Sequence, residues 1–254
     1  MPPEEREEPG LLSAASAAAL THGRLEVIGR MAYSSNGTFL ARCRGDEGGE
    51  GAQETLAVYK PAAGERPLWD FPPDSLYRRE VAAYELSRWL GWDIVPVTVA
   101  RDPGELGPGS VQAFVDHDPQ QHYFTLLDKH RRTFKRLAFF DILANNADRK
   151  SGHCLLDVSG RIWAIDHGLT FHEEPKLRTV IWDFAGEPIP APERKAAARL
   201  VKALADPGDE INSILGRLLA AGEIHALSRR AEKLVAPGQF PEPGSAWAFP
   251  WPLV

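Results

Sequence analysis

The chain has 254 residues, 43% of them hydrophobic and 25% charged, enough to bury a real core as one large domain or as two lobes. A net charge of −6 lacks the electrostatic footprint of a nucleic-acid binder or of a protein drawn to anionic membranes. Two cysteines, Cys43 and Cys154, without C-x-x-C spacing argue against a disulfide scaffold and a zinc–thiolate site, and no run reaches the ~18 apolar residues of a membrane span.

The opening MPPEEREEPG is acidic and proline-rich, the opposite of a signal peptide, so a cytoplasmic location is expected. Residues 1–20 read as a flexible tail. From GRLEVIGRMAYSSNGTFLARC onward the pattern is strand, turn, strand, with Asn36-Gly37 at the tip of a hairpin. RGDEGGEGAQE is a polar, glycine-rich surface loop, and TLAVYKP is a third, antiparallel strand closed by proline. A proline-rich connector leads into LYRREVAAYELSRWLG, whose Leu76, Val81, Tyr84, Leu86 and Trp89 give an apolar helical face ended by Gly91. IVPVTVA and GSVQAFVD predict two more strands. Beyond a hinge at residues 112–120 the chain turns helical, in YFTLLDKHRRTFKRLAFFDILANN. HCLLDVSGRIWAID follows as a hairpin turning at Asp157 to Gly160, and two or three helices come after it. PGQFPEPGSAWAFPWPLV, aromatic and proline-rich, is expected to fold back over apolar surface.

Charge gathers in NNADRKSGHCL and AIDHG. Pairing the strands 153–157 and 161–165 brings the loop carrying Asp148 beside Asp166, with His153 between them. Two carboxylates and a neutral imidazole can hold a divalent cation. Lys60 ends the strand AVYK, where it can reach nucleotide phosphates. Glu80 on the following helix can hold it by an ion pair, with Glu85 as the competing acid on that helix. Ser35, Asn36 and Gly37 at the hairpin tip would cover phosphates with backbone N–H groups. These are the parts phosphoryl transfer needs: positive charge on the phosphates, a metal between them, and a carboxylate near the attacking hydroxyl.

FFDILANNADRKSGHCLL with IWAIDHGLTF resembles the catalytic core of the phosphatidylinositol 3-/4-kinase-like fold, most closely type II phosphatidylinositol 4-kinases. HipA-type kinases share a similar Asn-x-Asp-Arg, and the chain also resembles a kinase-like family of uncharacterised actinobacterial proteins. AVYKP, REVAAYELSRWLG and GSVQAFV are similar to the lysine strand, glutamate helix and hinge strand of such kinases, in the same order. The resemblance spans about residues 27–185. It implies ATP as cofactor and Asp148 as the catalytic carboxylate. Asp166 would hold the metal, and Lys60, backed by Glu80, would contact the α- and β-phosphates. The backbone of Gln112, Ala113, Phe114 and Val115 would read adenine. His153 departs from the pattern, since those kinases carry Asn there as a second metal ligand. Imidazole favours softer ions, so Mn²⁺ is expected beside Mg²⁺. Arg149 is expected to be structural and Asn145 to brace the catalytic loop. Lys176 and Arg178, where an activation loop would run, are candidates to meet an anionic substrate. His167 and His172 lack a third spaced ligand for zinc.

The sequence therefore predicts an α+β, protein-kinase-like two-lobe fold. Residues 1–20 would be a tail, 21–115 the nucleotide-binding N-lobe, 116–236 the C-lobe and 237–254 a second tail. The expected function is ATP-dependent phosphoryl transfer to a hydroxyl of a protein or a small polyol or inositol compound, with no nucleic-acid partner and no integral membrane segment. Three rivals stand beside it: a catalytically weak nucleotide-binding module, transfer of AMP onto protein, and a phosphohydrolase built on Asp148, Asp166, His153 and His167.

Overall fold

The computed structural model describes residues 12–31, 34, 36–45, 54–102, 107–236 and 238–254. Five strands, β1 (Arg24–Arg30), β2 (Phe39–Arg44), β3 (Glu54–Pro61), β4 (Thr98–Arg101) and β5 (Gly109–Ala113), form an antiparallel sheet in the order β1-β2-β3-β5-β4. The two-residue period of β3 buries Thr55, Ala57, Tyr59 and Pro61, so Lys60 faces the other side of the sheet. Ala41, Cys43, Ala57, Tyr59, Val111 and Ala113 make the small core of this half.

Two expectations need correction here. The tail expected over residues 1–20 contains a helix, α1 (Ala14–His22), in its last part. Alanines supply the propensity, the Ser13 side chain accepts from the Ser16 N–H as an N-cap, and Ala19 and Leu20 are buried in the small core. The strand expected from Ile94 begins only at Thr98. Pro96 has no N–H for a ladder, and the amides of Ile94 and Val95 go instead to Ser87 Oγ at 2.9 and 3.4 Å.

α2 (Leu76–Leu90) ends where Gly91 adopts the left-handed conformation, φ 71°, and donates to the carbonyls of Ser87 and Arg88. Its Ala82, Ala83, Leu86 and Leu90 join the larger core, with Phe134, Leu137, Phe140 and Leu143 of α3 (Tyr123–Ala144). Leu200, Leu215 and Leu227 of α4 (Ala191–Ala205), α5 (Glu210–Leu218) and α6 (Ala221–Val235) complete that core. By packing, α2 therefore belongs to the helical half as much as to the sheet. The short hairpin β6 (Cys154–Leu156) and β7 (Ile162–Ala164) follows α3 and turns as predicted at Asp157–Gly160.

The chain after α6 does fold back, onto the loop that carries Asp148. The Ser151 N–H donates to the Leu253 carbonyl at 2.8 Å, and the Thr179 N–H to that of Ala248 at 3.0 Å. The Trp182 indole also donates to the Ala248 carbonyl, at 3.2 Å. Trp247 and Trp251 stay 79% and 87% exposed.

Candidate active site

The site is assembled at the C-terminal end of α3. Asn145 caps the helix in a left-handed conformation, φ 54°, ψ 51°, which short polar side chains tolerate. Its Nδ2 donates to the carbonyls of His172 and Glu174 at 2.9 and 2.7 Å, and its Oδ1 accepts from the Lys176 N–H at 2.8 Å. One amide thus fixes the segment that follows Asp166, and not the Asp148 loop it was expected to brace. Asn146 braces Asp148 instead: its Nδ2 donates to Asp141 Oδ1 and its Oδ1 accepts from the Asp148 N–H, both at 3.0 Å.

Arg149 is fully buried. Its Nε and Nη2 donate to the two oxygens of Asp141 at 2.9 and 3.0 Å, and its Nη1 donates to the Ile165 carbonyl at 2.7 Å. Because Arg149 follows Asp148 and Ile165 precedes Asp166, this one side chain sets the two aspartates relative to each other. Its Nη2 also donates to His167 Nε2 at 2.8 Å, so the His167 ring proton sits on Nδ1, which is buried without a partner among the described residues. Sequence reading missed Asp141 and Asn146. Their signal was an aspartate in the apolar run FFDIL, four and five positions from two asparagines.

A row of charges crosses from the sheet to the hairpin. Lys60 Nζ pairs with Glu80 Oε1 and, at 3.0 Å, with Asp166 Oδ1, while Asp166 Oδ2 lies 3.2 Å from His153 Nε2. The other oxygen of Glu80 accepts from the His167 N–H at 2.9 Å. Glu85 lies instead on the surface with Arg88, so Glu80 is the acid that meets the lysine. Asp166 is held at φ 61°, and its side chain is 47% exposed. Asp148 pairs with Lys150 at 3.1 Å.

The electrostatics follow from this packing. Burial pushes the Asp148 carboxyl up from its ordinary value, with the Asp166 charge adding and Lys150 opposing. Burial would raise Asp166 too, but Lys60 and His153 outweigh it and hold that carboxyl well below the usual range. Burial, with Arg149, Lys150 and Lys60 nearby, pushes His153 down to about 4, against the pull of Asp166. The imidazole is therefore neutral at pH 7. Its Nδ1 accepts from the Lys150 N–H at 3.3 Å, which leaves the proton on Nε2 facing Asp166.

Other sequence-predicted residues are engaged elsewhere. Ser35 lies outside the described residues. Asn36 Oδ1 accepts from the Arg66 N–H at 3.0 Å, and the Gly37 N–H donates to the Gly64 carbonyl at 2.8 Å. Gly37 and Gly64 touch backbone to backbone, where a Cβ on Gly37 would come within 2.9 Å of Gly64 Cα. The Gln112 side chain is buried on Thr98 Oγ1 at 2.8 Å. The amides of Ala113 and Phe114 bond to the carbonyls of Val97 and Leu56, and the Val115 carbonyl bonds to His117 Nδ1. Lys176 pairs with Asp70 at 2.8 Å, with its ammonium 5.2 Å from the centre of the Trp69 ring. Arg178 is exposed, and its backbone is clamped to the carbonyl of Asn146 and the amide of Arg149.

Among the described residues no group of three or more His, Cys, Asp or Glu side chains is arranged to hold a metal by itself. A hard cation needs only one or two carboxylates where phosphate oxygens and water complete its shell. Asp166, half-exposed and ionised, fits this role. His153 has to move its ring proton from Nε2 before that nitrogen is a ligand.

Comparison with known proteins agrees with this architecture. Residues 100–213 match the family model described as phosphatidylinositol 3- and 4-kinase. The structure of hydra Fam20 with sugar is similar over 85% of this chain and 86% of that one, at a TM-score of 0.53 and 14% identity. The Helicobacter pylori proinflammatory kinase CtkA is similar over 85% and 92%, at 0.50 and 12%. The fold is thus a kinase fold of the phosphatidylinositol 3-/4-kinase-like type. Protein Rv2133c of Mycobacterium tuberculosis is 39% identical over 92% of this chain and 94% of its own length, and the chain belongs to the same family. No helix among the described residues is long and apolar enough to cross a membrane.

Proposed function

We propose that this chain is an ATP-dependent phosphotransferase acting on a hydroxyl of a protein or a small polyol or inositol-type compound. The row Glu80–Lys60–Asp166, with Asp148 one loop away, is the observation that carries the reading. A lysine shared between two carboxylates is poised to exchange one of them for phosphate oxygens. Lys60 would bind the α- and β-phosphates, and Asp166 would hold Mg²⁺ or Mn²⁺, which neutralises charge on the phosphates when bound. In the hinge, the backbone of Phe114 and Val115, just beyond the end of β5 at Ala113, would be offered to adenine.

Asp148 would orient the acceptor hydroxyl and take its proton as the acceptor oxygen bonds to the γ-phosphorus and the bridging oxygen leaves with ADP. Its raised pKa suits a base. Arg178, exposed and anchored beside the Asp148 loop, favours an acceptor with an anionic group, whereas Lys176 is occupied by Asp70.

Calorimetric titration of ATP with Mg²⁺ or Mn²⁺ tests the reading. Metal-dependent binding lost in Asp166→Ala, and ATP turnover lost with binding retained in Asp148→Asn, are expected. Binding indifferent to metal and to Asp166 would refute it in favour of a regulatory nucleotide-binding module.

A further inference from the structure

Arg79 is 1% exposed, the most fully enclosed arginine beside Arg149, and it precedes the glutamate that meets Lys60. A guanidinium is withdrawn from water at a cost of several kcal/mol by order of magnitude unless it is fully paired. Here Nη1 donates to the Thr170 carbonyl at 2.6 Å, Nη2 pairs with Glu223 Oε1, and the cation sits 4.9 Å from the centre of the Phe71 ring, while Nε is buried with no hydrogen-bond partner among the described residues. Glu223 is itself fixed, because its Oε2 accepts from the Ala220 N–H at the start of α6 at 2.8 Å.

The contacts close into a loop. Thr170 Oγ1 donates to the His167 carbonyl at 2.6 Å, and the His167 N–H donates to Glu80 Oε2 at 2.9 Å. The path leaves α2 at Arg79, passes through the turn after Asp166, and returns to α2 at the next residue. Neighbouring helix positions point about 100° apart, so one turn of α2 grips the helical half with Arg79 and the sheet lysine with Glu80. Replacing a buried ion pair by apolar groups is often neutral for stability, so stability alone is a weak reason for this arrangement. What an arginine with three separate partners supplies is a fixed rotation and height of the helix.

We infer that Arg79, with Glu223, is a positioning residue that bolts α2 to the helical half and so holds Glu80 against Lys60. The inference rests on the nucleotide-site reading above. The device acts on the phosphate end of the site, since Lys60 would bind phosphates and the hinge would bind the base.

Titration of the full chain with Mg²⁺-ATP and, separately, with adenosine separates this role from a general loosening of the fold. Arg79→Met and Glu223→Gln should each weaken ATP about tenfold, the scale of one charge-assisted hydrogen bond, and leave adenosine unchanged. Lys60→Met is the reference and should show the same split. ATP affinity unchanged in the Arg79 and Glu223 variants, or ATP and adenosine weakened in parallel, overturns the inference while leaving the Lys60 reading intact. A Lys60→Met protein that binds ATP like the wild type overturns both. If Arg79→Met does not fold, Glu223→Gln, which keeps the shape of the side chain, decides alone.

Discussion

Arg149 and Asp141 form a two-point ion pair, at 2.9 and 3.0 Å, in which neither side chain has any contact with solvent. The pair lies beneath the loop that carries Asp148 and ties it to the last turns of α3. Arg149 also reaches the residue before Asp166, so both candidate catalytic carboxylates hang on one buried cation.

Breaking that pair leaves a lone charge in the interior, which costs about 3–5 kcal/mol. Arg149→Leu and Asp141→Ala are each expected to lower stability by that amount in urea unfolding. A loss within 0.5 kcal/mol would mean that water reaches the pair.

Glu80 and Glu85 share a helix but not a role. Glu80→Gln should weaken Mg²⁺-ATP binding roughly tenfold, because a neutral amide holds Lys60 less firmly than a carboxylate. Glu85→Gln removes only a surface pair with Arg88 and should change both stability and ATP affinity little, within about 0.5 kcal/mol. Titration of the two variants side by side checks this, and equal effects would sink the assignment.

The segment after α6 supplies acceptors to the Ser151 and Thr179 amides on either side of the Asp148 loop. Deleting residues 246–254 should cost about 2–5 kcal/mol of stability for two backbone donors left without partners. Nucleotide affinity should survive, since neither Lys60 nor Asp166 touches this segment, whereas ATP turnover should fall more than about tenfold as the loop loosens. Turnover equal to that of the whole chain would show that the loop holds its shape unaided.

His153 and His167 are buried neutral, and both are depressed relative to an ordinary histidine. The unfolded chain therefore binds more protons below about pH 6.5, so stability is fully present above that pH and declines as pH falls towards about 4. Without metal or nucleotide, roughly 2 kcal/mol should be lost between pH 6.5 and 5 through His153 alone. His153→Asn should flatten this part of the profile in denaturant titrations at stepped pH.

Local patterns in the sequence determined most of the elements. The two β-prone runs on either side of residues 31–38, the apolar helical face from Leu76 ended by Gly91, and the turn at Asp157–Gly160 are all short-range signals, and each element forms where its signal lies. The order of the motifs also pointed to the fold type, a kinase fold that the chain shares with its structural neighbours. Proline at 96 and the alanine run at 14–19 were equally local signals, but they were misjudged because helix and ladder propensities compete at such short range.

Tertiary structure decided what pairing could not reveal in one dimension. That Glu80 and not Glu85 meets Lys60 depends on which face of α2 turns inward, and this is set by Ala82, Ala83, Leu86 and Leu90 joining the larger core, where α2 packs against α5. That Lys176 is spent on Asp70, that Asn146 and Asp141 brace the loop, and that Arg79 reaches Glu223 across 144 residues of chain follow from close packing alone. A buried charge needs a partner within hydrogen-bond reach, and only the folded chain specifies which residue stands there.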